Sequence, residues 1–422
     1  MNYLLILFGI TSIFTIFSFI KFRKLLTPNI IFSILWVLGA VVVNTNFVGL
    51  RTPTAQTNYY IIITIVMFNL SYIFFSDKNR LQLEKGTLLE IIDIDKHWGK
   101  IVSVNLLLTI VTFPYFCKML LIFVTDSFYA VRVAAFNYIG LYEVLMSKVI
   151  FIVMFSFFNL LLMLTCLNIT LRNNSKKLFY LMIFDALYFT MITGSRNFIA
   201  KFFIYMVVSY LLANTYLSKK IRIGINFILY GTIILLILNW AIRARSLASL
   251  SPLENIIVYL FGGISYFDHI TNMPIFFADN QIRLYGLGTF SWIVSPVIYL
   301  LSLVNLIPNF TAEALIGDVT ANGIYISSRF NFNALTTAMY PMWRDFGTIG
   351  IVFGMSFFGF WVAKSEKVFM KKKNLKTLLF LFSFIIAIFE STQLYNMLYL
   401  RFSMQVIWIY LLFGKKIIKL KF

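Results

Sequence analysis

The sequence predicts an all-α, polytopic integral membrane protein. It is 60% hydrophobic and only 12% charged, with a mean hydropathy of +0.86. Soluble domains carry roughly 25% charged residues. The apolar residues fall into repeated runs long enough to cross a bilayer, for which a helix needs about 20 residues. Lysines cluster in short groups beside these runs. We therefore expect one polytopic domain over residues 1–422.

Alternation of lysine clusters with apolar runs sets the orientation of each span. Short cytoplasmic loops are enriched in Lys and Arg, and the chain closes on Lys415–Lys421. This pattern predicts an N-terminus outside and a C-terminus in the cytoplasm. The first run follows no basic region and no small-residue cleavage site, so we interpret it as a retained span. The predicted spans are Leu4–Ile20, Ile30–Val48, Tyr59–Phe75, Ile101–Val124, Val144–Leu167, Leu178–Ile192, Phe198–Leu217, Ile223–Trp240, Phe346–Val362, Thr377–Phe389 and Phe402–Phe413.

Residues 241–345 are predicted to form one long exoplasmic loop. This region contains no lysine and more than half of the prolines of the chain. Two of its stretches, Ile256–Ile264 and Phe290–Leu306, are apolar enough to lie in the interface, to re-enter the membrane, or to span it as a pair. The count of spans is therefore about eleven, or thirteen if this pair crosses.

Arginine and lysine are sorted onto opposite sides of the predicted membrane. The outer side holds only Lys118, Lys148 and Lys201, and the remaining lysines face inside. The positive-inside rule does not explain arginines on the outer side, so we expect them to have another function. A guanidinium binds phosphate or carboxylate in a bidentate manner, which an ammonium cannot do, so the pattern indicates a lipid-diphosphate or anionic glycan partner. The outer arginines are Arg51, Arg132, Arg196, Arg243, Arg245, Arg283, Arg329, Arg344 and Arg401.

Composition argues against several other classes of protein. The net charge of +20 lies mostly beside apolar runs, where it sets orientation and meets anionic lipid rather than nucleic acid. Cys117 and Cys166 both lie within apolar runs, which argues against a disulfide framework. His97 and His269 are far apart in sequence, and there is no Cys/His cluster for zinc. We expect no metal and no cofactor.

Acidic residues and the second histidine supply candidate acid–base groups. Asp268-His269 lies in the predicted outer loop, and His269 is either a proton acceptor or a packed histidine. Asp185 and Glu390 fall within or near spans, where a carboxylate is costly and should face protein or water. We expect both to be paired internally, with Lys148 and Lys201 as plausible partners.

Short polar motifs interrupt the apolar runs on the outer side. Thr193–Asn197 contains Gly194 and Arg196 at the end of a span, Arg243 and Arg245 open the long loop, and Tyr285–Phe290 contains two glycines. The segment Asn331–Gly347 is the richest in polar and aromatic residues, and Arg344-Asp345 within it is either functional or a local ion pair. Aromatic faces and amide or hydroxyl groups of this kind suit carbohydrate.

Together these segments resemble the Wzy-type polymerases of O-antigen or capsular oligosaccharide repeat units. The similarity covers the layout of most of the chain, and the residue detail lies in Thr193–Asn197, Gly286–Phe290, Asn333–Thr336 and Tyr340–Gly347. The resemblance implies a glycosyltransferase type C-like membrane enzyme. Its substrate would be an undecaprenyl-diphosphate-linked oligosaccharide at the outer face of the bacterial cytoplasmic membrane. A chain-length regulator protein is a further partner to consider, and nucleic acid is not expected.

Glycosyl transfer between lipid-linked units assigns roles to these residues. Charge develops on the departing diphosphate, which arginines stabilise in the absence of a metal, and a carboxylate or histidine takes the acceptor proton. Candidate catalytic residues are Asp345, His269 and Asp268. Candidate diphosphate-binding residues are Arg196, Arg243, Arg283, Arg132, Arg245 and Arg344. Candidate glycan-binding residues are Asn333, Thr336, Tyr340 and Tyr285.

Two alternatives remain open on the sequence alone. A flippase or transporter of the same lipid-linked oligosaccharide also needs charges within the membrane, although it should show two related halves without one dominant outer loop. An O-antigen ligase would use the same donor.

Overall fold

The protein is an all-α membrane protein in the computed structural model. The structure describes residues 3–24, 26–77, 95–136, 145–171, 176–195, 197–216, 252–272, 283–320, 324–327, 331–332 and 335–414. Five of the described helices are long and apolar enough to cross a membrane, and Pro28–Asn44, Ser291–Leu303 and Leu400–Phe413 are shorter apolar helices. The five are Tyr3–Phe22, Ala55–Phe75, Asp95–Thr125, Leu145–Thr170 and Thr348–Lys372.

The helices follow the predicted apolar runs closely. The predicted span Ile223–Trp240 lies outside the described residues, and the total of eleven or thirteen crossings stays a prediction. In chain order the α-helices are α1 Tyr3–Phe22, α2 Pro28–Asn44, α3 Ala55–Phe75, α4 Trp98–Thr125, α5 Phe128–Phe136, α6 Leu145–Thr170, α7 Lys176–Thr193, α8 Asn197–Tyr216, α9 Pro252–Asn272, α10 Ser291–Leu303, α11 Ala312–Thr320, α12 Met339–Phe346, α13 Thr348–Lys372, α14 Leu375–Glu390 and α15 Leu400–Phe413.

A short antiparallel ribbon is the β-structure among the described residues. It pairs β1 (Ile324–Tyr325) with β2 (Asn331–Phe332), with Ile324 opposite Phe332.

Two compact units are formed by these elements. Unit one comprises Met1–Arg80, Arg245–Lys371 and Ser383–Phe402, and unit two comprises Leu81–Ala244, Lys372–Phe382 and Ser403–Phe422. The core of unit one is aromatic: the Phe32 and Phe68 rings stack at 3.8 Å, and Phe358 meets Phe68 edge-on at 5.2 Å. Aromatic pairs of this geometry add about 0.5–1.5 kcal/mol to the burial of their area.

Much of the segment predicted as one long loop is helical. α9, α10, α11 and α12 all lie between residues 241 and 346. α9 packs against α2 so closely that a Cβ at Gly39 would lie 2.8 Å from the Ile264 side chain. The apolar stretches in this segment explain the difference, because burying them against other helices removes their surface from water or headgroups.

Glycines set the position of α12 at the start of α13. A Cβ at Gly350 would lie 1.9 Å from the Met342 carbonyl oxygen, and one at Gly354 would lie 2.4 Å from the Met342 side chain. Glycines four residues apart let two helices approach closely. Gly347, with φ +63 and ψ −136, is the positive-φ residue at which α12 ends, a backbone conformation that favours glycine. This arrangement holds Arg344 and Asp345 in a fixed place in unit one.

Candidate functional site

The carboxylate of Asp345 organises a loop in unit one. Its Oδ1 accepts hydrogen bonds from the backbone N–H groups of Gly286 and Gly288, both at 2.9 Å. Its Oδ2 accepts from the Thr289 N–H at 2.7 Å and from the Thr289 hydroxyl at 2.6 Å. The Asp345 side chain is fully buried. Four donors on one buried carboxylate fix the loop from residue 283 to 290 onto α12.

The two glycines of this loop are required by its geometry. Gly286 adopts φ +95, a conformation that side-chain-bearing residues rarely take. A Cβ at Gly288 would lie 2.5 Å from the Pro341 carbonyl oxygen, so only glycine allows the loop to contact α12 there. In the sequence, the spacing of these two glycines only weakly indicates a functional site. The structure gives the physical reason why both positions are glycine.

An arginine and aromatic cluster surrounds α12. The exposed Arg283 donates to the Trp343 carbonyl oxygen at 3.1 Å, and its guanidinium lies 5.6 Å from the centre of the Trp343 ring. The Tyr340 and Trp343 rings stack at 6.3 Å, and Phe267 of α9 meets both rings edge-on. We call Arg283, Trp343, Tyr340 and Phe267 the α12 cluster.

Tyr340 of this cluster is buried, and so is the neighbouring Arg344. Arg344 donates to the Tyr340 hydroxyl at 3.1 Å, and its side chain is 1% exposed. Burial raises the pKa of Tyr340, and the charge of Arg344 and their hydrogen bond act in the opposite direction. In this conformation a diphosphate cannot reach Arg344, nor a sugar the Tyr340 ring. The predicted direct contacts of these two residues with substrate therefore have no support in the geometry.

His269 and Arg51 form a contact at the end of α9. Arg51 Nη1 lies 2.7 Å from His269 Nδ1. A guanidinium can only donate, so Nδ1 accepts and the ring proton lies on Nε2. Burial lowers the pKa of His269, the charge of Arg51 lowers it further, and Asp268 acts in the opposite direction. The ring is therefore neutral at physiological pH and is partly accessible.

Asp268 belongs to the start of α3. Its Oδ1 accepts from the Thr54 N–H at 2.9 Å and from the Thr54 hydroxyl at 2.6 Å, and Asn272 donates to the same oxygen at 3.1 Å. Thr54 is the N-cap residue of α3, where a negative charge is favourable. This nearly fully buried carboxylate is thus engaged by donors from two helices.

The buried turn between α14 and α15 contacts the loop from residue 283 to 290 that Asp345 holds. The Tyr395 hydroxyl donates to the Thr289 carbonyl oxygen at 3.1 Å, and the Ser291 hydroxyl donates to the Leu398 carbonyl oxygen at 2.6 Å. A carboxylate oxygen of Glu313 accepts from the Leu400 N–H at 3.1 Å. The guanidinium of Arg401 lies 4.3 Å from the centre of the Tyr399 ring.

Three of these residues are absent from the candidates taken from the sequence. Arg51 and Arg401 count there only among the outer arginines, and Glu313 carries no signal of its own. Their roles depend on contacts between segments that are far apart in the chain. The pair Gly350 and Gly354 is the available sequence signal for the position of α12.

The remaining predicted site residues lie in several places. Tyr285 is 76% exposed at the tip of the loop, whereas Thr336 is buried. Arg132 belongs to unit two, where a Cβ at Gly194 would lie 2.7 Å from the Arg132 backbone nitrogen. Arg196, Arg243, Arg245 and Asn333 fall outside the described residues.

Within the described part of the chain, no group of three or more His, Cys, Asp and Glu residues is placed to hold a metal ion. No protein-family model, no curated protein and no solved structure matches the chain.

Proposed function

We propose that the protein is a membrane glycosyltransferase that joins undecaprenyl-diphosphate-linked oligosaccharide repeat units at the outer face of the cytoplasmic membrane of a bacterium. The observation that carries the proposal is the α12 cluster together with the Arg51–His269 contact. These residues supply accessible guanidinium groups and a neutral imidazole within one unit of a membrane protein, and the exposed Tyr285 lies in the same unit.

Accessible arginines bind the leaving group in this proposal. The acceptor hydroxyl attacks the anomeric carbon of the donor sugar, the bond from that carbon to the diphosphate oxygen breaks, and the electron pair leaves with the diphosphate. Arg283 and Arg51 stabilise the charge that develops there, and such electrostatic stabilisation is usually the largest catalytic contribution. Tyr285, exposed at the loop tip, offers a ring face to a sugar.

Proton transfer falls to His269 in the same proposal. Its Nδ1 accepts a hydrogen bond from Arg51 in the structure. When Arg51 turns to the diphosphate, Nδ1 is released and can accept the proton of the acceptor hydroxyl. Asp345 and Asp268 act as positioning residues, because donors from the protein already occupy their oxygens.

Loss of the protein from cells that make the polymer tests the proposal. A polymerase defect leaves single repeat units attached to the lipid acceptor, visible as the lowest band of a gel ladder. A ligase defect leaves long polymer on undecaprenyl diphosphate, and a flippase defect leaves single units on the inner face. Either of the last two results would replace the proposed reaction.

Asp345→Asn separates a positioning role from a catalytic one. The asparagine places an NH₂ group against N–H donors, and a buried donor without an acceptor costs about 1–3 kcal/mol. We expect the variant to lower both the thermal unfolding midpoint of the purified protein and its activity. Asp126→Asn, at an exposed helix end, is the matched control and should change neither. Loss of activity at an unchanged midpoint would restore Asp345 as the base.

A further inference from the structure

Asp185 is a fully buried carboxyl group in the middle of α7, in unit two. Among the described residues, neither of its two oxygens has a hydrogen-bond partner. The sequence predicts an ion pair with Lys148 or Lys201, and that prediction is wrong in this structure. The ammonium group of Lys201 instead lies 4.7 Å from the centre of the Phe155 ring.

Across from Asp185, α4 presents a row of polar side chains. Asn105 is the polar side chain that faces the carboxyl group. Its Oδ1 and the hydroxyl of Thr109, one turn further along α4, also lack partners among the described residues. The hydroxyl of Tyr188, one turn along α7, donates to the Thr109 carbonyl oxygen at 3.0 Å and lies 3.0 Å from the Thr112 hydroxyl. The α4–α7 contact is therefore polar around Asp185 but supplies no cation among these side chains.

An anion is a poor occupant of this place. Burying an ionised carboxylate without a partner costs several kcal/mol or more, and such groups take up a proton instead. A charged side chain within a span is costly for the same reason. Asp345 shows the opposite case in the same chain, since it is equally buried but receives four hydrogen bonds.

A proton satisfies the groups around Asp185 with no net charge. A protonated carboxyl group has one O–H donor and keeps acceptor oxygens, and the carboxamide of Asn105 both donates and accepts, so a neutral carboxyl group and a carboxamide can satisfy one another. A hard metal cation takes about six or more oxygen ligands, whereas Asp185, Asn105 and Thr109 supply four oxygens at most.

We infer that Asp185 is a proton-binding site between α4 and α7, at which the buried carboxyl group carries a proton beside the carboxamide of Asn105. The proton also stabilises the contact between the two helices, because its removal leaves a buried anion that has no ion-pair partner among the described residues. Three other titratable groups lie around this contact. Tyr188 is in α7 with Cys117 of α4 near it, and Lys201 lies over the ring of Phe155.

Dicyclohexylcarbodiimide is the probe, applied to the full-length protein in membranes. It reacts with protonated carboxyl groups in apolar surroundings. The acid proton moves to one nitrogen, the carboxyl oxygen bonds to the central carbon, and the acyl group then shifts from that oxygen to nitrogen. No atom is lost, so the modified residue gains the mass of one reagent molecule.

Tryptic peptides provide an internal control. Residues 178–196 contain Asp185 as their only acid, and residues 345–364 contain Asp345 as theirs. We expect the reagent on the first peptide and not on the second, and no modification of the first peptide in Asp185→Asn. Protection by sodium chloride but not by choline chloride would identify a sodium site and overturn the assignment to a proton.

Thermal unfolding gives an answer that does not depend on access of the reagent. Asp185→Asn keeps the shape of the side chain and a neutral group that can donate and accept beside Asn105, so we expect an unfolding midpoint close to that of the unchanged protein. For the unchanged protein the midpoint should fall as pH rises, because unfolding then releases a proton, and the variant should lose this dependence. A different result would show that Asp185 is a paired anion. In that case Asp185→Asn would lower the midpoint as much as Asp345→Asn does, and the midpoint of the unchanged protein would not fall as pH rises.

Discussion

At the scale of single residues, the structure separates the arginines by exposure. Arg283 is exposed and is held over Trp343 by a hydrogen bond and by the face of the ring. Arg344, the neighbour of Trp343, is buried behind Tyr340. Only the first is placed to meet a substrate as the structure stands.

Arg283→Lys tests the bidentate contact that the proposed function requires. Lysine keeps the charge but loses the planar fork, and removal of such a contact costs on the order of 3 kcal/mol, or about a hundredfold in rate. A reconstituted polymerisation assay at matched protein amounts measures the change. Arg23→Lys, an exposed arginine near the end of α1, should retain full activity. Equal activity of the two variants would reduce Arg283 to a surface residue that packs on Trp343.

His269 gives the protein a pH dependence with a definite sign. Its pKa in the folded state lies below the usual value of 6.5. The unfolded chain therefore takes up a proton at a pH where the folded ring does not, and stability falls as pH drops below about 6.5 until the folded pKa is passed. Above that range the ring is neutral in both states and contributes no slope.

Unfolding midpoints of His269→Gln and the unchanged protein, measured from about pH 8 down to pH 5, test this sign. We expect the variant to lose part of the decline on the acid side. His97→Gln, in unit two, is the matched replacement of the other histidine. An acid-side decline that is unchanged in His269→Gln would show that the Arg51 contact does not control this ring.

At the scale of elements, the loop from residue 283 to 290 depends on α12. Gly288→Ala adds a methyl group where a backbone carbonyl lies 2.5 Å away. Strain of this kind typically costs about 1–3 kcal/mol, so we expect a lower unfolding midpoint and a weaker polymerisation activity. Gly317→Ala, in α11, meets no atom within 4 Å and should be neutral or slightly stabilising. A Gly288→Ala variant as stable as Gly317→Ala would mean that the loop does not rest on α12.

The same elements show what the sequence can and cannot predict. Helices such as α4 and α7 follow directly from apolar runs, because lipid and the helical period leave few alternatives. The resemblance also points to Gly286–Phe290 and Tyr340–Gly347 as functional segments. The hydrogen bonds from the first segment to Asp345 were not predictable, since they join residues far apart in the chain. For the same reason Asp345 and Asp268 are plausible bases in the sequence and engaged acceptors in the structure.

At the scale of the whole molecule, the distribution of lysines predicts the orientation in the membrane. Tyr285→Cys, in a background with Cys117 and Cys166 replaced, should react with a membrane-impermeant thiol reagent in intact spheroplasts. Lys371→Cys, exposed at the end of α13, should react only after the membrane is disrupted. The reverse pattern of labelling would place the α12 cluster in the cytoplasm and remove the basis for chemistry at the outer face.

The buried turn from residue 391 to 399 also limits which changes of length the chain can accept. Successive residues of a helix differ in direction by about 100°, so one residue inserted in the turn would rotate α15 by more than a quarter of a circle or displace the turn itself. In a surface loop an inserted residue extends into solvent, and the packed helices keep their positions. Here the turn donates to Thr289 and accepts from Trp36 and Ala338 at Ser391, so three parts of unit one would lose their register together.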